Sequence, residues 1–164
     1  MINQIESMPI EDNIHPSVSS IRDLLSFKVA RFSALNQRLG GYWIKEVFDL
    51  NLNDWRILGL VAASASISFK ELKTILCMDK GQLSRSVKLL VERGYISTEF
   101  SKDDARALDL RITKVGRKLS KEILLFSKQR NDVAVQCLNK KECEVFLATL
   151  KKLTEHSISV LEKI

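Results

Sequence analysis

The chain has 164 residues, of which 45% are hydrophobic and 28% charged, a globular composition with room for one ordinary domain and helical arms. Six glycines and two prolines argue against a loop-rich all-β fold and for long helices. The net charge is +6, a surplus whose meaning depends on where it sits. The longest apolar run, Ile57 to Ala63, is too short to span a bilayer, so no membrane partner is expected. Residues 1–12 carry Glu6, Glu11 and Asp12 and no base, unlike a secretory leader, and a cytoplasmic chain is expected. Cys77, Cys137 and Cys143 form no C-x-x-C pair, and His15 and His156 stand apart, so neither a disulfide scaffold nor a metal site is expected. With no phosphate loop, H-E-x-x-H or G-x-S-x-G, the chain has no catalytic constellation. It reads as a non-enzyme without a cofactor.

Residues 1–16 read as a flexible arm ending at Pro16. From Val18 to Val47 apolar residues recur at helical spacing through Ile21, Leu25, Phe32, Leu35 and Leu39, and Gly40-Gly41 weakens or breaks the run. Trp55 to Ala63 reads as a short buried helix. Ser68 with Glu71 predicts a capping box and a helix to about Cys77. Asp79 with Gln82 repeats the device and opens a helix that stops at Gly94. The period then changes to two. Ile96, Thr98 and Phe100, then Leu108, Leu110 and Ile112, alternate with polar residues around a charged segment, which predicts a β-hairpin with an exposed tip. Thr113 or Lys114 starts a long helix with Leu119, Ile123, Phe126, Val133 and Cys137 in rhythm and Arg130 as the polar exception. Asn139-x-x-Glu142 caps a last helix with Phe146, Leu150, Leu153, Val160 and Ile164 on one stripe. The fold class is therefore mainly α with a small β-wing: a winged helix-turn-helix between N- and C-terminal helices. The long terminal stripes carry more apolar surface than a small core covers, and a second copy is the simplest cover. The boundaries are 17–50 and 114–164 for the helical dimerisation region and 51–113 for the winged module.

The central segment 51–116 carries only +3 of the surplus, and 117–164 carries +4. Placement is more telling than amount. On a helical wheel of about 100° per residue, Leu83, Val87, Leu90 and Gly94 form one stripe. Gly81, Arg85 and Lys88 lie opposite, flanked by Gln82 and Ser84. Charges on an outer helix face are ordinarily just solvated. Here the helix follows another by a short turn and precedes a wing, which points to a DNA major groove. Lys80 lies beside the helix N-terminus, whose free amides suit a phosphate, and Gly81 lets backbone approach one. At the hairpin tip, Lys102 and Arg106 would anchor the wing, Arg106 in a minor groove. Asp104 would orient Arg106 or another arginine.

The sequence resembles the MarR family of winged helix-turn-helix regulators over about residues 20 to 160. The most specific stretch is Asp104-Ala105-Arg106-Ala107-Leu108-Asp109-Leu110-Arg111-Ile112-Thr113-Lys114-Val115-Gly116, a D-x-R wing tip followed by a strand and an L-T-x-x-G-like helix start in which Ile112 replaces the leucine. Leu52-Asn53-Asp54-Trp55-Arg56-Ile57-Leu58 matches the start of the family's second helix. Glu71-Leu72 to Leu76, Met78 to Arg85 and Glu92-Arg93-Gly94-Tyr95-Ile96 match its helix-turn-helix.

The resemblance implies a homodimer built by the terminal helices and a double-stranded, pseudo-palindromic operator. It also implies repression that a small aromatic acid relieves, of phenolic or hydroxycinnamate type or its thioester. The residues it suggests for that effector are Arg31, Arg38, Tyr42, Trp43, Trp55 and Arg56. Two other functions stay open at this level. One is redox sensing through Cys137 or Cys143. The other is a winged-helix protein-interaction module without DNA binding, which would not need Arg85 and Arg106.

Overall fold

The computed structural model describes residues 17–100 and 108–163. They form six α-helices and one small sheet: α1 (Leu25–Phe48), α2 (Leu52–Ala63), β1 (Ile67–Ser68), α3 (Phe69–Leu76), α4 (Lys80–Glu92), β2 (Ile96–Phe100), β3 (Leu108–Ile112), α5 (Lys114–Val135) and α6 (Lys140–Leu161). The fold is mainly helical with a β-wing, as the periodicities predict. The chain divides into two compact units between Leu52 and Asn53.

In the first unit, the expected helix from Val18 divides in two. A 3-10 turn, Ile21–Asp23, precedes α1, with Leu24 extended between them. The cause is local. Ser20 and Asp23 form a complete capping box, which fixes a helix start four residues before that of α1. Ser19 and Ser20 hold the Asp23 carboxyl below the usual carboxylate range, through the Ser19 hydroxyl first and then the Ser20 amide. Gly40-Gly41 does not break α1, which runs on to Phe48. A helical glycine costs only about 1 kcal/mol relative to alanine, too little to end a 24-residue helix. Gly40 and Ile44 are buried, whereas Leu25, Phe32, Leu35 and Leu39 are all more than half exposed.

In the second unit, α2 starts three residues earlier than expected and buries Asp54, Ile57, Leu58 and Val61. Strand β1 was not legible, because two residues carry no period. It pairs antiparallel with β3 in the register Ile67↔Leu110. Strand β3 thus lies at the centre, in the order β1-β3-β2. Strands β2 and β3 pair from Ile96↔Ile112 to Phe100↔Leu108. Ile96 and Leu110 are buried, while Phe100 and Leu108 face each other exposed at the far end. Across the strands, Arg111 pairs with Glu99 at 3.2 Å, a half-exposed ion pair that contributes little to stability.

The three capping boxes expected from sequence form to different extents. Asn139 and Glu142 form both bonds. Ser68 and Asp79 each accept the expected amide, from Glu71 and Gln82, but only that half of each box forms. On α5 the buried face is Gly116, Ser120 and Ile123. Leu119 and Phe126 are half-buried, and Val133 and Cys137 of the expected stripe are exposed. No described residue of α6 is buried, and Phe146, Leu150 and Leu153 are exposed.

Candidate nucleic-acid interface

Helices α3 and α4 are joined by Cys77, Met78 and Asp79. Such a turn needs one residue in the left-handed region, a place usually taken by glycine. Cys77 occupies it here at φ 50°, and Met78 N–H donates to the Lys73 carbonyl to close the α3 end. Met78 is buried in the turn and Asp79 caps α4, its carboxylate accepting the Gln82 amide at 2.8 Å. Turn and cap together set the direction in which α4 leaves.

Helix α4 buries Leu83, Ser86, Val87 and Leu90. Lys80, Gly81, Gln82, Ser84, Arg85 and Lys88 are all exposed. The expected inner stripe therefore needs one correction. Gly94 does not belong to it: it is exposed at φ 70°, just past the helix end, and Ser86 takes an inner place instead. A glycine there lets the chain reverse, with Tyr95 N–H donating to the Leu90 carbonyl at 2.9 Å.

The outer face has internal structure. A Cβ on Gly81 would meet Asp79 Oδ1 at 3.2 Å and Arg85 Nη1 at 3.5 Å. The Arg85 guanidinium thus rests back over the first turn, where a side chain at position 81 would press on the Asp79 carboxylate and touch the guanidinium at ordinary contact distance. Lys88 approaches Glu92 at 3.8 Å, an exposed pair that leaves the ammonium available. The wing residues Lys102, Asp104 and Arg106 lie outside the described residues.

The six residues suggested for an effector fall on both units. In the first, Arg31, Arg38, Tyr42 and Trp43 are exposed on α1, with the Tyr42 and Trp43 rings edge to face at 5.4 Å. In the second, Trp55 and Arg56 are half-buried on α2. Arg56 donates to Asn53 Oδ1 at 3.3 Å, and the Trp55 ring lies over Gly59. An apolar groove on the first turns of α6 is lined by Asn139, Lys141, Glu142, Val145, Phe146 and Thr149, none of them in that set. Cys77 and Cys137 are exposed and Cys143 half-buried, all as free thiols. Among the described residues no group of three or more His, Cys, Asp or Glu could hold a metal, and no helix is long and apolar enough to cross a membrane.

A helix-turn-helix followed by a wing, with the second helix presenting polar and basic side chains outward, is the arrangement of a DNA reader. The family model of MarR matches residues 48–107. These residues belong to the MarR family. Solved structures extend the likeness in fold beyond the MarR-family segment. A crystal structure of MarR is similar with a TM-score of 0.77 at 20% identity, covering 90% of this chain and 100% of that one. A MarR protein from Peptoclostridium difficile is similar with a TM-score of 0.76 at 18% identity, covering 87% and 93%. A cysteine-to-serine mutant of MarR from E. coli, complexed with operator DNA, is similar with a TM-score of 0.69 at 22% identity, covering 79% and 92%. No curated protein matches by sequence.

Proposed function

We propose that this chain is a dimeric, non-enzymatic MarR-type regulator that represses by binding a pseudo-palindromic operator, one α4 per half-site. The observation that carries the reading is the division of α4. Its inner residues Leu83, Val87 and Leu90 are buried, and Gln82, Ser84, Arg85 and Lys88 are all exposed on the outer side. Lys80, Gly81 and Lys88 meet phosphates and set register, and Gln82, Ser84 and Arg85 read base edges. Lys102 and Arg106 anchor the wing, with Asp104 orienting an arginine. The winged module spans 51–113. The regions 17–50 and 114–164 supply the dimer, a role supported by the exposed Phe32, Leu35 and Leu39 of α1 and Phe146, Leu150 and Leu153 of α6. Sedimentation is expected to give twice the chain mass.

The test is binding to the DNA upstream of the chain's own coding region. Arg85→Ala is expected to lose about 1–3 kcal/mol of preference for the bound site over a scrambled one, a 5- to 150-fold loss in ratio. Binding to scrambled DNA should change far less. A wild-type chain with no sequence preference, or an Arg85→Ala chain that keeps all of it, defeats the reading.

Release requires an effector with unequal affinity for the DNA-competent and incompetent states. A small aromatic acid, phenolic or hydroxycinnamate-like, or its thioester, fits the cations and rings of Arg31, Arg38, Tyr42, Trp43, Trp55 and Arg56. A thermal-shift screen of such acids, followed by competition against bound DNA, identifies the class. A compound that raises the melting temperature and weakens DNA binding is the expected result.

A further inference from the structure

We propose that Thr113 and Gly116 are positioning residues that join the recognition helix rigidly to α5, so that α4 and the start of α5 move as one body. The inference rests on the DNA-binding reading above for its functional consequence and on geometry alone for the joint itself.

The joint is built from both sides. Helix α4 ends in the reversal at Gly94, where the Gly94 and Tyr95 amides turn back to the Val91 and Leu90 carbonyls, both at 2.9 Å. The carbonyls of the same two residues are taken by α5. Thr113 N–H donates to the Tyr95 carbonyl at 3.1 Å. The Thr113 hydroxyl donates to the Gly94 carbonyl at 2.7 Å, with the Tyr95 carbonyl sharing it at 3.1 Å. The oxygen of that hydroxyl then accepts the Gly116 amide at 3.0 Å, which caps α5. One side chain thus closes the start of α5 and holds the end of α4, across 19 residues of sequence.

Gly116 brings the two backbones into direct contact. It is buried, and a Cβ on it would stand 1.9 Å from the Tyr95 carbonyl oxygen. At Gly116 no side chain stands between α5 and the Tyr95 carbonyl, so no rotamer change at that contact can absorb a relative movement. Arg117, one residue on, donates to the Ala62 carbonyl at the end of α2 at 3.4 Å, a second tie between α5 and the module. An interface of backbone hydrogen bonds and close contact is stiff where a layer of side chains would yield. A tilt imposed on α5 therefore reaches Lys80, Gln82 and Arg85 through one hydroxyl and one glycine.

A helix cap that is merely structural would tether α5 only. The test variant is Thr113→Val, which keeps the shape and removes the hydroxyl, measured in the full chain beside Thr113→Ser. Hydrogen exchange is expected to quicken in both 114–118 and 89–95 of the valine variant. Sequence-preferred DNA binding is expected to fall roughly tenfold, the scale of one lost, partly shielded hydrogen-bond pair. Binding to scrambled DNA should hold at the wild-type value. Serine should restore both the exchange pattern and the affinity. Faster exchange confined to 114–118, or wild-type DNA preference in the valine variant, overturns the joint, as does an equal loss on both DNAs or a serine variant that restores nothing. If the wild-type chain has no sequence preference, the DNA reading fails by itself and the exchange pattern still decides the joint.

Discussion

Gly116→Ala is expected to lower stability by about 3 kcal/mol or more, enough to shift the melting temperature of a chain this size by roughly 6–12 °C. Helix propensity alone predicts the opposite, since alanine is better than glycine by about 1 kcal/mol inside a helix. The sign is decided by space. An added Cβ would lie 1.9 Å from the Tyr95 carbonyl oxygen, 2.7 Å from its carbon and 2.9 Å from Ile112 Cδ1. The isoleucine methyl can rotate away, but the carbonyl cannot, because Thr113 N–H and the Thr113 hydroxyl both hold it. Relief comes only by lifting α5 off the α4 reversal and giving up those bonds. Gly41→Ala is the control. It is also inside a helix, has nothing within 4 Å of its would-be Cβ, and is expected to be neutral or slightly stabilising. Thermal or urea unfolding of the two variants separates steric from conformational need. A Gly116→Ala chain that melts with the wild type contradicts the close approach.

The same glycine marks the boundary of what the amino-acid order reveals. Its place in an L-T-x-x-G-like start is visible, yet the reason is a contact with Tyr95, 21 residues earlier, which no local pattern encodes. Features set within one turn were legible. Asn139 and Glu142 form the box their spacing requires, and Asp79 caps α4. Period-two alternation found both wing strands, and the wheel of α4 separated Leu83, Val87 and Leu90 from Arg85 and Lys88. Features set by tertiary context were not. Cys77 takes a left-handed position that glycine would have announced. Strand β1 exists only because β3 offers it an edge. Ser86 is buried although its type suggests otherwise. The stripes of α1 and α6 are real periodicities, but a period states that a face is apolar and not what covers it. For that reason the helices read most easily from sequence are the ones whose apolar stripes stay exposed in the single chain.

Leu83→Ala is the other large effect, and it tests whether the outer face of α4 depends on the anchor beneath it. Leu83 is fully buried in the first turn of α4, between Gln82 and Ser84, both of which are exposed. Truncation removes buried methyl groups and leaves a cavity under the first turn of α4, at a cost of about 2–5 kcal/mol. The Asp79 cap and the Met78 turn lie next to that cavity in sequence, so the loss falls where α4 takes its direction. Unfolding midpoints should drop accordingly. Under conditions where the variant remains folded, its preference for the upstream site should still weaken, because the helix that carries Gln82, Ser84 and Arg85 is no longer fixed from beneath. Ser84→Ala supplies the contrast. It removes one exposed hydroxyl, and a surface change of that kind is worth within about 0.5 kcal/mol of stability. Any effect it has on DNA preference is then a lost contact and not a lost pose. Equal stability for Leu83→Ala and wild type would mean that α4 is not seated through this residue, and the division of its two faces would no longer explain how the outer one is aimed.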